Sequence, residues 1–366
     1  MTMRAIRLHD IGDVRLDNIP EPQVGDNQIK IKVAWNGICG SDLHCYRHPL
    51  PGTVPTKTVA QTLTNETLPI VLGHEFSGTI VEVGTGVDSS RFAKGQNVVV
   101  EPMIACEKST CAKCSNKSRN FCPHMTFIGL GGGGGGLSEY VCVDPSLVYA
   151  LPDGMSLEAG ALVEPLTVAW HAVKGSKMQP GASVLVCGAG PVGLLVLKVA
   201  KALGASWVAV SEPAVKRRQL AKEHGADAVF DPTAPGANVP AAVFEATGGR
   251  GADVVFDCAG VQPAIDVACQ AVRVKGTVMV VALWAVAQVH LGIVLMKEAI
   301  ITGSCAYNRD HAEVLQALAE GKFPGLESLI TRRIGLEDCL EKGILALINE
   351  KDEHGKSLKI LVHPNA

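Results

Sequence analysis

Two groups of residues in this chain are of types that hold metal ions. Residues 106–122, CEKSTCAKCSNKSRNFC, set four cysteines within seventeen positions. Cys111, Cys114 and Cys122 follow C-x2-C-x7-C, and Cys106 stands five residues upstream. Four thiolates this close in sequence can complete a tetrahedral zinc site with no open position, which fixes a loop that has no core of its own. The alternative, a disulfide pair, requires an oxidising compartment. The second group is dispersed over GICGSDLH (37–44), LGHEFSG (72–78) and ALVEPLTVAWHAV (161–173). Cys39, His74 and one glutamate would give a mixed sulfur, nitrogen and oxygen set. Three protein ligands leave a fourth position for water or substrate, the arrangement of a catalytic zinc. Spacing alone does not separate this from a histidine and a glutamate in structural roles.

A third motif points to a nucleotide. GAGPVG, residues 188–193, follows the apolar run SVLVC and opens a helical stretch, the context that a G-x-G-x-x-G signal needs. Gly188 permits the tight turn, Gly190 lets backbone approach a pyrophosphate, and Gly193 lets the helix pack against the strand. Pro191 and Val192 begin the helix whose N-terminus faces the phosphates. Glu212, nineteen residues after Gly193, stands where a carboxylate accepts bonds from the adenosine ribose and repels a 2′-phosphate. That favours NAD over NADP. Lys216, Arg217 and Arg218 just downstream read as the solvated start of a helix, with Arg217 kept as a candidate cofactor contact.

The elements that must position these residues fall into two styles. Up to about residue 160, short apolar runs such as QIKIKVAWNGI and GQNVVVEPM are punctuated by Gly, Pro, Asn and Asp, the pattern of a β domain with long loops. Residues 46–69 carry four prolines and read as a surface loop. GLGGGGGG, 129–136, is either a flexible connection or a place where backbone must come very close to something else. From about Leu166, strands and helices alternate: SVLVC, GLLVLKVAKALGA, WVAVS, KRRQLAKEHGA, DAVF, GADVVFDCAG, GTVMVVAL and AIITGSC. That grammar predicts a parallel sheet covered on both faces. A helix, HAEVLQALAEGK, and two strand-like runs, LITRRIGL and KSLKILVHP, follow.

The totals agree. With 366 residues, 47% of them hydrophobic and 39 glycines, the chain exceeds one ordinary core, and two domains are expected. A net charge of −3 without long like-charge blocks indicates neither a nucleic-acid nor an anionic-membrane partner. The N-terminus, MTMRAIRLHD, has no apolar segment followed by a cleavage site, so a cytoplasmic protein with reduced thiols is expected. Most of the remaining cysteines then read as small buried hydrophobes. The longest uncharged apolar stretch, Val278–Met296, is long enough to span a membrane, but Gln288, His290 and Gly292 interrupt it and its first half reads as a buried strand.

Taken in order, Cys-Gly-Ser-Asp, Gly-His-Glu, the four-cysteine segment and the dinucleotide fingerprint resemble the zinc-dependent medium-chain dehydrogenase/reductase family over essentially the whole chain. EPMIAC, FIGLGGGGGGLSEY, EPLTVAWHAV and VSEP are most similar to its 2,3-butanediol branch, the fungal members especially, with sorbitol and other polyol dehydrogenases as neighbours. The resemblance implies an α/β fold. Residues 1–165 would form a GroES-like catalytic domain with a zinc lobe at about 101–125, residues 166–305 an NAD-binding Rossmann domain, and 306–366 a return to the catalytic domain. It implies two zinc ions per subunit and NAD. Cys39 and His74 become catalytic zinc ligands, with Glu164 where other alcohol dehydrogenases have cysteine, and Glu75 as the competing oxygen ligand. Ser41 and His44 match the family's proton relay, which runs through the cofactor ribose. The lobe departs from the family by placing four residues, EKST, between its first two cysteines where two are usual. A small alcohol, diol or ketone substrate and a homodimer or homotetramer follow, the dimer joined through AIITGSC. A sorbitol or xylitol dehydrogenase and a non-catalytic nucleotide-binding member are the rival readings.

Overall fold

Apolar five-residue runs bounded by glycine turns build one half of the molecule. In the computed structural model, which describes residues 1–49, 52–349 and 357–365, they form a six-stranded sheet. Its order is Ala228–Phe230, Trp207–Ser211, Ser183–Cys187, Ala252–Asp257, Val272–Val280, Ile300–Gly303, every pair parallel. Ser183–Cys187 is buried at all five positions, as a strand covered on both faces must be. The strand order reverses between Ser183–Cys187 and Ala252–Asp257. A crevice therefore opens beyond their carboxyl ends, directly at Gly188. Helix Pro191–Ala202 leaves that crevice with its proline in the first turn and buries Gly193 to Ala200. It packs against helix Val163–Gly175 in a shared core of Leu166, Ala169, Leu194 and Leu197.

The other half is a mixed seven-stranded sheet in the order Val148–Ala150, Asn97–Val100, Glu75–Val83, Ile29–Gly37, Lys359–His363, Ile330–Gly335, with Tyr140–Val143 also pairing on Ile29–Gly37. Both ends of the chain contribute to it. Lys359–His363 runs antiparallel to Ile29–Gly37 and parallel to Ile330–Gly335. A smaller sheet joins Thr2–Asp10 to Asp13–Pro20 and Ile70–Val71. The pair Met103–Ile104 and Thr126–Phe127 closes the base of the four-cysteine segment.

The glycine run is a close backbone approach. Gly136 N donates to Gly73 O at 2.8 Å and Leu137 N to Leu72 O at 2.9 Å. A Cβ on Gly129, whose φ is +82°, would collide with the Gly73 carbonyl, and one on Gly135 with the Leu72 carbonyl. The run therefore lies tight against the segment that carries His74 and Glu75. Within the proline-rich 46–69 stretch, described residues 52–69 contain no helix or strand, while positions 50 and 51 lie outside the described residues. Val278–Met296 divides into the end of strand Val272–Val280, a loop and helix Leu291–Lys297. Among the described residues no helix is long and apolar enough to cross a membrane. Helices Val239–Ala246 and Gln262–Ala271 are ones the periodicity did not single out; each is short and starts with proline in its first turn.

Candidate active site and metal centres

The register of two strands assembles the mixed-ligand site. In the antiparallel pair Ile29–Gly37 and Glu75–Val83, Gly37 lies opposite Glu75, so Cys39, two residues on, comes beside His74. A Cβ on Gly37 would strike the Glu75 carboxylate, so a larger residue there would displace it. One ligand atom each from Cys39, His74 and Glu75 lies within 4.8 Å of the others. Cys39 caps helix Gly40–Arg47, and its amide donates to Asp42 Oδ2 at 2.9 Å. The other Asp42 oxygen stands 3.6 Å from His74 Nδ1, and both atoms are buried without a hydrogen-bond partner among the described residues.

This pocket is built for a cation. Burial opposes charge on His74, yet Asp42 and Cys39 outweigh it and hold the imidazole well above its ordinary pKa. Sulfur, nitrogen and carboxylate oxygen are zinc's donor set. An orphaned Nδ1 beside an orphaned Asp42 oxygen is the outer contact that fixes the tautomer of a metal-binding histidine. The residues fit zinc.

The two glutamates occupy different positions. Glu75 is buried and accepts from Lys359 Nζ at 2.8 and 2.6 Å. Glu164, in the first turn of helix Val163–Gly175, is buried next to this group but outside the set of three that converge. Burial, reinforced by Glu75 and opposed by His74, pushes its carboxyl up to about 7. Ser41 Oγ is 3.7 Å from Cys39 Sγ. His44, one turn further along the same helix, is exposed.

The four-cysteine segment converges despite its longer first spacing. The sulfurs of Cys106, Cys111, Cys114 and Cys122 lie within 4.8 Å of one another, and none is in a disulfide. Cys106 and Cys114 sulfurs are 3.6 Å apart, against about 3.8 Å for tetrahedral thiolates at ordinary zinc–sulfur distances. The backbone amides of Cys114 and Lys113 pull the Cys111 thiol down to about 7, toward the thiolate that a metal needs. Four reduced sulfurs at this spacing fit zinc as well.

At the sheet's crevice, Gly188 has φ +98°, and a Cβ on Gly193 would meet the Gly188 carbonyl. Gly190, the residue before helix Pro191–Ala202, has nothing within 4 Å of its Cβ direction. That open cradle in front of free helix amides, with Pro191 and Val192 behind it, fits a pyrophosphate. Glu212 Oε2 accepts from Ala189 N at 2.8 Å and Oε1 from Ala214 N at 2.9 Å, so its carboxylate is fixed at the end of strand Trp207–Ser211 with lone pairs to spare. Arg218 is tied to the Glu212 and Pro213 carbonyls and to Asp231. Arg217 Nε is buried and has no hydrogen-bond partner among the described residues.

The family described as "Alcohol dehydrogenase GroES-like domain" matches residues 25–153, and that described as "Zinc-binding dehydrogenase" matches residues 191–320. The (R,R)-butanediol dehydrogenase of Bacillus subtilis is 42% identical, over 99% of this chain and 100% of its own. The chain belongs to the zinc-dependent medium-chain dehydrogenase/reductase family. A crystal structure of 2R,3R-butanediol dehydrogenase from Bacillus subtilis superposes with a TM-score of 0.90 at 41% identity, covering 99% of this chain and 100% of that one. The (R,R)-butanediol dehydrogenase of Saccharomyces cerevisiae is 36% identical, over 99% of this chain and 98% of its own.

Three residues at this candidate site carry little signal in the sequence. Asp42 was visible only as part of Cys-Gly-Ser-Asp, with no role attached. Lys359 opens the strand KILVH, and a lysine in a buried strand is a signal for a buried partner. Tyr307, fully buried and beside Glu164, carries no motif at all.

Proposed function

We propose that this dehydrogenase oxidises secondary alcohols and vicinal diols with NAD, and that 2,3-butanediol, giving acetoin, is its preferred pair. The observation that carries the reading is the convergence of Cys39, His74 and Glu75 beside Ser41. The substrate class extends from the full-length likeness to butanediol dehydrogenases. When bound, zinc supplies the Lewis acidity that lowers the pKa of a substrate hydroxyl, and NAD supplies the hydride acceptor.

The chain's own residues do the rest. Cys39 and His74 hold the metal, and Asp42 orients His74. Glu75 is the third ligand we favour because its oxygen stands with the other two. Glu164 waits beside it as the alternate. Ser41 Oγ accepts the substrate hydroxyl proton as it passes its own onward, and His44, exposed one turn on, releases a proton to solvent. Gly188, Gly190 and Gly193 shape the pyrophosphate cradle, Glu212 accepts from the adenosine ribose, and Arg217, five residues on, is a further candidate contact. Cys106, Cys111, Cys114 and Cys122 hold the second zinc.

The chain works as a homodimer or homotetramer in the cytoplasm in this reading. What supports a two-fold pairing is the outer strand Ile300–Gly303, an open sheet edge, next to Leu291, Leu295 and Met296, which are 73, 75 and 81% exposed.

The test is NAD⁺ reduction with each stereoisomer of 2,3-butanediol and with sorbitol, before and after zinc chelation. Preference for one butanediol isomer, lost on chelation, is the expected result. If sorbitol is the better substrate, the chemistry stands and the substrate falls. If a zinc-loaded sample turns over nothing, the non-catalytic reading replaces this one.

A further inference from the structure

The four-cysteine lobe grips a stretch of chain far from it in sequence. Asn120 Nδ2 donates to the Cys305 carbonyl at 3.0 Å, across 185 residues. Asn308 Nδ2 donates back to the Lys117 carbonyl at 2.5 Å. These two bonds bracket Tyr307, which is fully buried. Tyr307 lies beside Glu164, and its hydroxyl has no hydrogen-bond partner among the described residues. Its ring stands edge-on to His311 with centroids 4.8 Å apart.

A second line of contacts runs from the lobe to the same ring. Arg119, between Cys114 and Cys122, binds the buried Glu101 carboxylate and donates to the Met103 carbonyl at 2.9 Å. Glu101 lies 3.4 Å from His311 Nδ1. His311, itself fully buried, is stacked on Tyr149 at 5.5 Å. Groups this buried and this closely paired have few alternative arrangements.

We propose that the lobe is a positioning element for the active site. Asn120 and Asn308 fix the 305–308 segment so that Tyr307 meets Glu164, and Arg119 with Glu101 backs the ring through His311. Asn120 and Asn308 are therefore positioning residues, and the lobe's zinc serves substrate turnover as well as stability. The inference rests on the reading of Glu164 as part of the active site.

The test uses the zinc-loaded enzyme. Asn308→Ala removes one clamp at a half-buried position, and Asn120→Asp removes the other donor at constant volume. Each is made in the wild-type and in a Tyr307→Phe background. kcat and KM are measured separately with the best alcohol of the wild-type enzyme, alongside zinc content and hydrogen exchange of residues 304–309. With both metal sites still filled, kcat/KM is expected to fall roughly tenfold in either variant, and exchange in 304–309 to quicken. In the Tyr307→Phe background the same changes should cost less than about twofold, because the group they position is gone. A loss of full size in that background overturns the proposal. So does a loss seen only when lobe zinc departs, or unchanged kcat/KM with unchanged exchange. Glu164→Gln separates the two readings: wild-type kcat/KM there removes Glu164 from the site and leaves the clamp, read by exchange, standing.

Discussion

Lys359→Met tests whether a protein cation and a metal share one carboxylate. Lys359 and Glu75 side chains are 3 and 1% exposed, and two bonds of 2.6 and 2.8 Å join them. At an effective dielectric constant near 20, a pair this close attracts by ~6 kcal/mol. Removing only the lysine leaves Glu75 charged and buried, a change that costs about 3–5 kcal/mol. Burial works against the Lys359 charge and Glu75 overcomes it, raising the lysine pKa, so the lysine stays charged throughout neutral pH. Methionine keeps most of the volume, so the loss is electrostatic. In zinc-stripped protein the full loss should appear as a lower denaturant midpoint. With zinc at Cys39 and His74, a cation again faces Glu75, and the loss should shrink. By linkage the variant then binds that zinc more tightly, by about 100-fold if 3 kcal/mol is recovered. Guanidinium titrations of stripped and loaded protein, with a chelator competition for zinc affinity, read both quantities. An equal loss in both forms, or weaker zinc binding, refutes the idea that Glu75 answers to both cations.

Four further outcomes are expected. Cys39→Ser or His74→Ala should abolish NAD⁺ reduction while circular dichroism stays that of the wild type; activity above a few per cent removes the site from the mechanism. Glu212→Ala should raise kcat/KM for NADP relative to NAD by ~10-fold or more, since the carboxylate that repels a 2′-phosphate is gone; unchanged selectivity sinks that role. Gly129→Ala should lower kcat more than a surface substitution does, because its Cβ must push the Gly73 carbonyl and with it His74; wild-type kinetics would show the contact to be slack. Glu164, raised from 4.5 to about 7, binds its proton more tightly when folded. Its contribution is complete below about pH 4.5 and is lost as pH rises through 7, about 3 kcal/mol in all for zinc-stripped protein. Glu164→Gln should flatten that slope in thermal melts between pH 5 and 8, and an unchanged slope assigns it to another group.

The local geometry was legible where it is written in contiguous text. GAGPVG sits between one strand and one helix, so its geometry is local, and the same is true of the cysteines from 106 to 122. The alternation from Leu166 onward predicts a parallel sheet because strands covered on both faces are predominantly apolar, and Ser183–Cys187 is buried throughout. The glycine run was not legible. Its composition allows a flexible tether as readily as a tight contact, and only the arrival of Leu72 and Gly73 against it decides between them.

The sequence by itself determined which side chains can hold zinc, take a proton or cradle a phosphate, because donor type and local backbone are properties of a few adjacent residues. The tertiary structure alone decided how those groups are charged and which of them meet. Glu75 is paired because a strand 284 residues away brings Lys359 under it. Glu164 comes from the first turn of a helix and stands outside the converging three, and Tyr307 joins it because the lobe holds the 305–308 segment in place. Such pairings are set by packing between elements distant in sequence, and the free energy of a buried charge depends on every neighbour that packing supplies.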